Sequence, residues 1–353
     1  VTNGEEWLRQ RRIIDPAFEG GRLREAFPAI WAASEAAVAR MGEGEVEVEL
    51  AASHAAADVI FRTLFSIPIE DRVAPAVFQE FRAYQRSAPI LNLGAFVRLP
   101  AWLPRLHRGA TRRSAKVIRG LIERLTAARA AAIAAGTAPE DLATKIMTTA
   151  DPVTGERFGT EEMVDQVAIF FLAGHETSAS ALGWALYLLA THPEAQDRVA
   201  AEAAALRPEF AVMGALRFTR DVFREALRLY PPVPMLVRET AGPEEFRGRK
   251  VKRGAQVVIS PWHLHRHERL WDRPDDFGPD RWAGEVPSGG YLPFSRGPRV
   301  CPGAGFAMLE GTLMLAHLVQ AFRFEPVEGR VPVPVAHLTV RARDGIWLRV
   351  SRR

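Results

Sequence analysis

The residue in the most unusual setting is Cys301, the only cysteine in the chain. It stands in PFSRGPRVCPGAGFAML, residues 293–309, just ahead of an apolar helical stretch. A buried cysteine needs no frame of arginine, glycine and proline, whereas a thiolate that binds something does. Pro302 suits the first position of a helix, where its missing N–H costs nothing. Cys301 is therefore expected at a helix N-terminus, where the dipole and free backbone N–H groups stabilise a thiolate and lower its pKa. Gly297 and Gly303 permit a tight loop and the close approach of a flat ligand. Phe294 is suited to shielding the sulfur from water, and Arg299 to pairing with a ligand carboxylate.

Other stretches carry reactive residue types. AGHETS, residues 173–178, sets a glycine, an acid and an alcohol in mid-helix. A mid-helix Gly costs about 1 kcal/mol relative to Ala, so Gly174 needs a reason, and room beside a bound group is one. The plainer alternative is a Thr177 hydroxyl bonded to the Ala173 carbonyl and a Glu176 facing solvent. The stretch begins like the H-E-x-x-H zinc helix, but Ala179 stands where the second histidine belongs. FREALRLYPPVP brings Glu225 and Arg228 to one helix face; without context this is a solvated ion pair worth under about 1 kcal/mol. HLHRHE places His263, His265 and His267 on one side of a strand, but Arg266 and Arg269 crowd any metal there. GAGFAM begins like a dinucleotide loop, with Met308 in place of the third glycine.

FSRGPRVCPG matches the haem-binding signature F-x-x-G-x-R-x-C-x-G at Phe294, Gly297, Arg299, Cys301 and Gly303. On these residues the chain resembles the cytochrome P-450 superfamily. The resemblance implies that Cys301 is the axial ligand of the iron of haem b (iron protoporphyrin IX), its thiolate favouring O–O cleavage. FREALRL looks like the family's E-x-x-R helix and PDDFGPDRW like its later P-x-x-F-x-P-x-R-[FW] segment. That implies a mostly buried network of Glu225, Arg228 and Arg281 behind the haem loop. AGHETS resembles [AG]-G-x-[DE]-T. It implies that Ala173 and Gly174 border a dioxygen groove where the helix widens, and that Glu176 and Thr177 relay protons. WLRQRR resembles the family's W-x-x-x-R, which makes Trp7 and Arg11 propionate contacts; Arg238 and Arg299 are the other two arginines.

The function so implied is a haem-thiolate monooxygenase acting on an apolar organic substrate. Its implied partners are dioxygen and a separate ferredoxin- or flavodoxin-type electron donor. Arg9, Arg12, Arg296 and the Arg112–Arg113 region are the expected basic docking face. Two alternatives stand beside it: a peroxide-driven or rearranging thiolate-haem enzyme, against which the intact Glu176–Thr177 pair speaks, and a non-catalytic haem-binding relative.

Composition narrows the class. The 353 residues are 48% hydrophobic and 25% charged, as in a globular protein. A lone cysteine excludes an intrachain disulfide framework and fits a reducing compartment, so a cytoplasmic location is expected. No window reaches the roughly 18–20 charge-free apolar residues of a membrane span. The formal net charge is only +4, and no basic tail or aromatic-basic motif points to nucleic acid.

The elements that must position these residues are mainly helical, with small β-sheets: an α+β chain with the cytochrome P-450 fold, N-terminally truncated. A single haem-thiolate domain is expected over 1–353, helix-rich over 1–232 and strand-rich, with the haem loop and its helix, over 233–353. Helices are predicted at 5–14, 22–41, 51–65, 73–86, 104–135, from a capping Thr160 to about 191, from Pro193, and at 215–229 before Pro231-Pro232. Strands are predicted in EVEVEL, MLVRET, FRGRKV and QVVIS, and in a closing hairpin turning at Asp344-Gly345. SAPILNLGAFVRLPAWLP falls where the family has a mobile loop over the substrate. The chain begins VTNGEEWLRQRR, where family members carry several dozen earlier residues that include two strands. MLVRET and QVVIS are thus expected to lack sheet neighbours, leaving an edge open to self-association.

Overall fold

The computed structural model describes residues 2–19, 21–70, 78–80, 109–336 and 339–353. The predicted helix at 73–86, the start of the one at 104–135 and the segment SAPILNLGAFVRLPAWLP lie largely or wholly outside these. The described helices are α1 (Gly4–Ile14), α2 (Arg22–Arg40), α3 (Val48–Phe65), α4 (Gly109–Ala134), α5 (Leu142–Thr148), α6 (Thr160–Thr191), α7 (Pro193–Ala203), α8 (Arg217–Leu229), the single turn α9 (Pro261–Leu264) and α10 (Ala304–Ala321). The strands are β1 (Gly44–Glu47), β2 (Leu236–Glu239), β3 (Glu244–Phe246), β4 (Arg249–Val251), β5 (Gln256–Ile259), β6 (Phe322–Pro326), β7 (Pro334–Ala336), β8 (Val340–Ala342) and β9 (Trp347–Arg352).

Local chemistry explains the boundaries. α1 opens with Glu5 and Glu6 and closes with Arg11 and Arg12, the order the helix dipole favours. α6 is capped by Gly159 rather than Thr160: the Glu162 carboxylate reaches back to accept the Gly159 N–H at 3.0 Å, and Thr160 is the first helical residue. α8 stops before Pro231, because the residue ahead of a proline is pushed out of the α region.

The sheets are small. β9 is the centre of a three-stranded antiparallel sheet, β1-β9-β6. β3 and β4 form a hairpin, and β7 pairs with β8. The expected closing hairpin is absent: β8 and β9 flank the Asp344-Gly345 turn but belong to different sheets. β2 and β5 do not lack neighbours; they pair with each other, Val237 opposite Val258.

Two hydrophobic cores form, and α6 runs through both. Its first half contributes Met163, Val167 and Phe171 to a core with Ile13, Phe61, Leu64 and Ile122. Its last half contributes Leu182, Trp184, Leu186 and Leu189 to a larger core with Phe223, Leu313, Phe322 and Phe324. AGHETS lies in the span between them.

Candidate active site

The loop carrying Cys301 is closed by its own backbone: the Cys301 N–H donates to the Phe294 carbonyl at 2.9 Å. Gly297 takes φ +76°, a conformation that favours glycine, and Ser295 is held at φ +63°, uncommon for a side-chain-bearing residue. Arg238 of β2 donates to the Ser295 hydroxyl at 3.0 Å and braces that turn. α10 begins three residues after Cys301, with Gly303 at its cap, so Pro302 is not its first helical residue. The expected lowering of the thiol pKa does not follow. Cys301 is exposed on its open side, but the protein walling its other sides pushes the thiol up by desolvation, against the Gly303 backbone N–H and Arg11.

Three arginines meet at this loop, two of them from distant parts of the chain. Arg11 donates to the Val300 carbonyl at 2.8 Å and pairs with Asp15 at 2.7 Å. Arg299 lies 4.0 Å over the Trp7 ring and donates to Asn3 Oδ1 at 2.8 Å. Arg238 comes from β2 through Ser295. Among the described residues, no carboxylate is within ion-pairing distance of Arg238 or Arg299. Phe294 is partly buried against the large core.

In the middle of α6 the α-helical pattern runs unbroken, so the expected local widening is not present. Gly174 makes room for α3: a Cβ there would stand 2.6 Å from Ile60 Cδ1. The Thr177 hydroxyl donates to the Ala173 carbonyl at 2.6 Å. Glu176 does not face solvent. It is 4% exposed, and its Oε1 lies 2.7 Å from the Arg341 guanidinium and accepts the Thr339 hydroxyl at 3.1 Å. One stripe of α6 is left uncovered by described residues. Ile169 is 48% exposed, Ala173 exposed and Thr177 half-buried, at i, i+4, i+8 on one face.

Behind the loop, Glu225 and Arg228 are both fully buried, so the solvated-pair alternative fails. Arg228 grips both oxygens of Glu225 at 2.8 and 2.9 Å and donates to the carbonyls of His265, Pro274 and Asp276. Arg281 Nε donates to Glu225 Oε1 at 2.9 Å, as does the Gly278 N–H at 3.0 Å.

A family model, Cytochrome P450, matches residues 1–347. The chain belongs to the cytochrome P-450 family. Cyclooctatin synthase of Streptomyces melanosporofaciens is 34% identical over 349 residues, covering 95% of this chain and 74% of that protein. Cyclooctat-9-en-7-ol 5-monooxygenase of the same organism is 33% identical, covering 93% and 73%. The crystal structure of a cytochrome P-450DA mutant haem domain superimposes with a TM-score of 0.86 at 25% identity, over 100% of this chain and 79% of that one. The protein is thus an oxidoreductase of the monooxygenase class with haem b as its cofactor. The cytochrome P-450 fold holds with α6, α8 and α10 at its centre.

The donor set fits that cofactor. A single exposed thiol stands in a loop beside Arg238 of β2 and Arg299 of the loop itself, which have no carboxylate partner among the described residues and offer cations to a dianionic edge. Trp7 and Arg11 reach the same loop from α1. Two of the cations expected on a docking face are spent internally: Arg9 pairs with Glu162 at 2.6 Å and Arg12 with Asp151 at 2.6 Å. These pairs fix α1, and with it Trp7 and Arg11, against the turn before α6. Arg296 is exposed, and the side chain of Arg112 is not among those described.

Two residues brace this cytochrome P-450 loop and its helices in ways not expected from sequence, where His265 is weighed only as a metal ligand and Glu310 not at all. His265, expected on a strand, follows α9 and is buried. Its Nδ1 donates to the Arg228 carbonyl at 3.2 Å and its Nε2 accepts the Leu292 N–H at 2.8 Å, latching α8 to the cysteine loop. Burial pushes His265 down to about 4, which keeps Nε2 free to accept. Glu310 of α10 accepts the Ser178 hydroxyl of α6 at 2.9 Å. Burial pushes its carboxyl up to about 8, the Ser178 hydroxyl opposing.

Glu310 makes stability depend on pH with a definite sign. Its ordinary carboxyl releases its proton near pH 4.3 when unfolded, but in the fold it keeps it to about 8. Between those values the unfolded chain binds fewer protons, so this group's contribution falls as pH rises and levels above about pH 8. Glu310→Gln keeps the hydrogen bond and removes the titration. Thermal midpoints of the two proteins, recorded from about pH 5 to about pH 9, should diverge in favour of the glutamine variant as pH rises. Parallel curves would show that Glu310 does not hold its proton.

Proposed function

We propose that this cytochrome P-450 hydroxylates an apolar organic molecule with dioxygen, drawing electrons from a separate protein donor. The observation that carries the reading is the convergence on one loop of the only cysteine and three arginines from α1, β2 and the loop itself. When bound by Cys301, haem supplies the family's oxygen activation, placing one oxygen atom in the substrate and releasing the other as water for two electrons and two protons.

The chain's own residues do the rest. Arg238, Arg299 and Arg11 hold and orient the propionate edge, and Trp7 stacks beneath Arg299. Ile169 and Ala173 offer an apolar stripe for the substrate, ending at the Thr177 hydroxyl. Thr177 and Glu176 hold and move protons. The Thr177 hydroxyl is parked on the Ala173 carbonyl, and Glu176 Oε2 has no hydrogen-bond partner among the described residues, leaving that atom available to carry a proton. Glu225, Arg228 and Arg281 keep the loop in shape from behind. Two relatives are named for cyclooctatin and cyclooctat-9-en-7-ol, which supports a bulky, mostly hydrocarbon substrate.

Exposed Arg296 and Val300, 38% exposed beside Cys301, support docking of an acidic ferredoxin- or flavodoxin-type donor on the cysteine side. No described helix is long and apolar enough to cross a membrane; the single cysteine supports a reducing, cytoplasmic setting. The outer edges of the β2–β5 pair, unpaired among the described strands, are where a second copy would add.

The test is the carbon-monoxide difference spectrum of the reduced protein. The wild type should show the red-shifted Soret band of thiolate ligation, and Cys301→Ser should lose it while still binding porphyrin between the arginines. An unshifted wild-type band would remove the reading.

A further inference from the structure

Glu176 is held from outside its own helix. Arg341, on β8, brings a guanidinium nitrogen to 2.7 Å from Oε1, and Thr339 donates to the same oxygen. The other oxygen, Oε2, is buried without a hydrogen-bond partner among the described residues. The carboxylate is therefore clamped at one oxygen only.

A second acid bears on the same guanidinium. Glu49, in the first turn of α3, lies along α6: its Cα is 3.5 Å from where a Cβ on Gly183 would stand. Gly183 is seven residues beyond Glu176, on the same face of α6. Glu49 also takes a hydrogen bond from the backbone of Ala342, the residue after Arg341. The start of α3 is fixed there, because the Val48 N–H donates to the Ile346 carbonyl at 2.8 Å. So α3, α6 and β8 meet around one arginine, which is ion-paired with Glu176 and also acts by its charge on Glu49.

The charged groups bearing on Glu49 are Arg341 from β8, Glu47 from β1 and Glu176 from α6. Burial pushes the Glu49 carboxyl up to about 7; Arg341 opposes this, Glu47 and Glu176 add to it, and the Ala342 N–H opposes it. Its ionisation thus falls in the working range of most proteins, and any interaction it makes with Arg341 changes there.

We propose that Arg341 is a positioning residue shared by Glu49 and Glu176, and that ionised Glu49 draws it off Glu176 and frees that carboxylate to turn toward Thr177. This rests on Glu176 and Thr177 being the proton relay. With Glu49 neutral, Arg341 stays on Oε1 and the relay acid is clamped. Coupling of this kind is reciprocal, so the state of Glu176 must be felt at Glu49.

The experiment uses the haem-loaded full chain with Glu49→Gln, Glu176→Gln, Arg341→Lys and Arg341→Met. The first readout is the titration of the Glu49 carboxyl band by infrared spectroscopy, assigned by its loss in E49Q. E176Q should lower the midpoint by about half a pH unit or more, since a like charge goes and Arg341 is released to Glu49. R341M should raise it by a similar amount, and R341K should leave it near wild type. A Glu49 midpoint unmoved in E176Q overturns the sharing, and R341K carries the comparison if R341M does not fold.

The second readout is the fraction of electrons recovered in product, with ethylbenzene as probe and a surrogate reductase. The wild type should couple better above the Glu49 midpoint than below it, and E49Q should lose this step. A step that persists in E49Q overturns the proposal even if the midpoints move. If E176Q itself leaves coupling and the solvent isotope effect at wild-type values, the relay reading falls, and the Glu49 midpoints still decide the sharing separately.

Discussion

Glu225→Ala is expected to give no haem-loaded protein. The carboxylate is fully buried and satisfies four donors at once: two nitrogens of Arg228, Nε of Arg281 and the Gly278 N–H. Alanine leaves Arg228, itself 0% exposed, as an uncompensated buried cation. Stranding one member of a buried pair costs about 3–5 kcal/mol, a large share of the roughly 5–15 kcal/mol that holds a domain together. The damage is also local to the cofactor, because Arg228 holds the His265 carbonyl and His265 in turn holds Leu292, two residues before Phe294. Soluble yield and the ratio of Soret to protein absorbance check this. A stable alanine variant with normal haem content would sink the account, and Glu225→Gln should be intermediate, keeping some hydrogen bonds without the charge.

Gly311→Ala should be nearly as damaging, for steric reasons. A Cβ at position 311 would stand 2.1 Å from Phe223 Cζ and 2.4 Å from both Cε atoms. Phe223 is 1% exposed in the large core, so its ring has nowhere to go and α8 and α10 must separate. Overpacking a core costs about 1–3 kcal/mol, occasionally more, and a whole ring face belongs at the upper end. The two helices that part carry the Glu225 network and the Cys301 loop. Phe223→Leu on the alanine background should recover part of the loss, since the two changes share one space. Thermal unfolding with haem retention measures both, and an alanine variant melting with the wild type would show that the crossing is looser than its geometry.

What was legible in the sequence is what the chain writes locally. The lone cysteine with its glycines and arginines sits within ten residues, and Glu225 and Arg228 within one helical turn. α6 ends at Thr191 because His192-Pro193 interrupts it. What was illegible depends on partners far along the chain. Gly174 is small because of Ile60, more than a hundred residues earlier, and not because of a widened helix. Arg9 and Arg12 looked like free surface cations until Glu162 and Asp151 came beside them. The ionic partner of Glu176 comes from β8. Its only local signal is the alternation V-R-A-R, which sends Arg341 to the face opposite the buried Val340 and Ala342. Glu310 stood in an apolar run with nothing nearby to show that Ser178 would meet it. The two final strands looked like one hairpin because spacing reports a turn and not the sheet each arm joins.

α6 is anchored in one core by Met163, Val167 and Phe171 and in the other by Leu182, Leu186 and Leu189. The span between them, residues 173–178, is not left free: Gly174 packs on Ile60 of α3, Glu176 is held by Arg341 of β8 and Ser178 by Glu310 of α10. The joint between the two cores is thus braced by three other elements, so the residues proposed to relay protons stand on a frame that neither core sets alone.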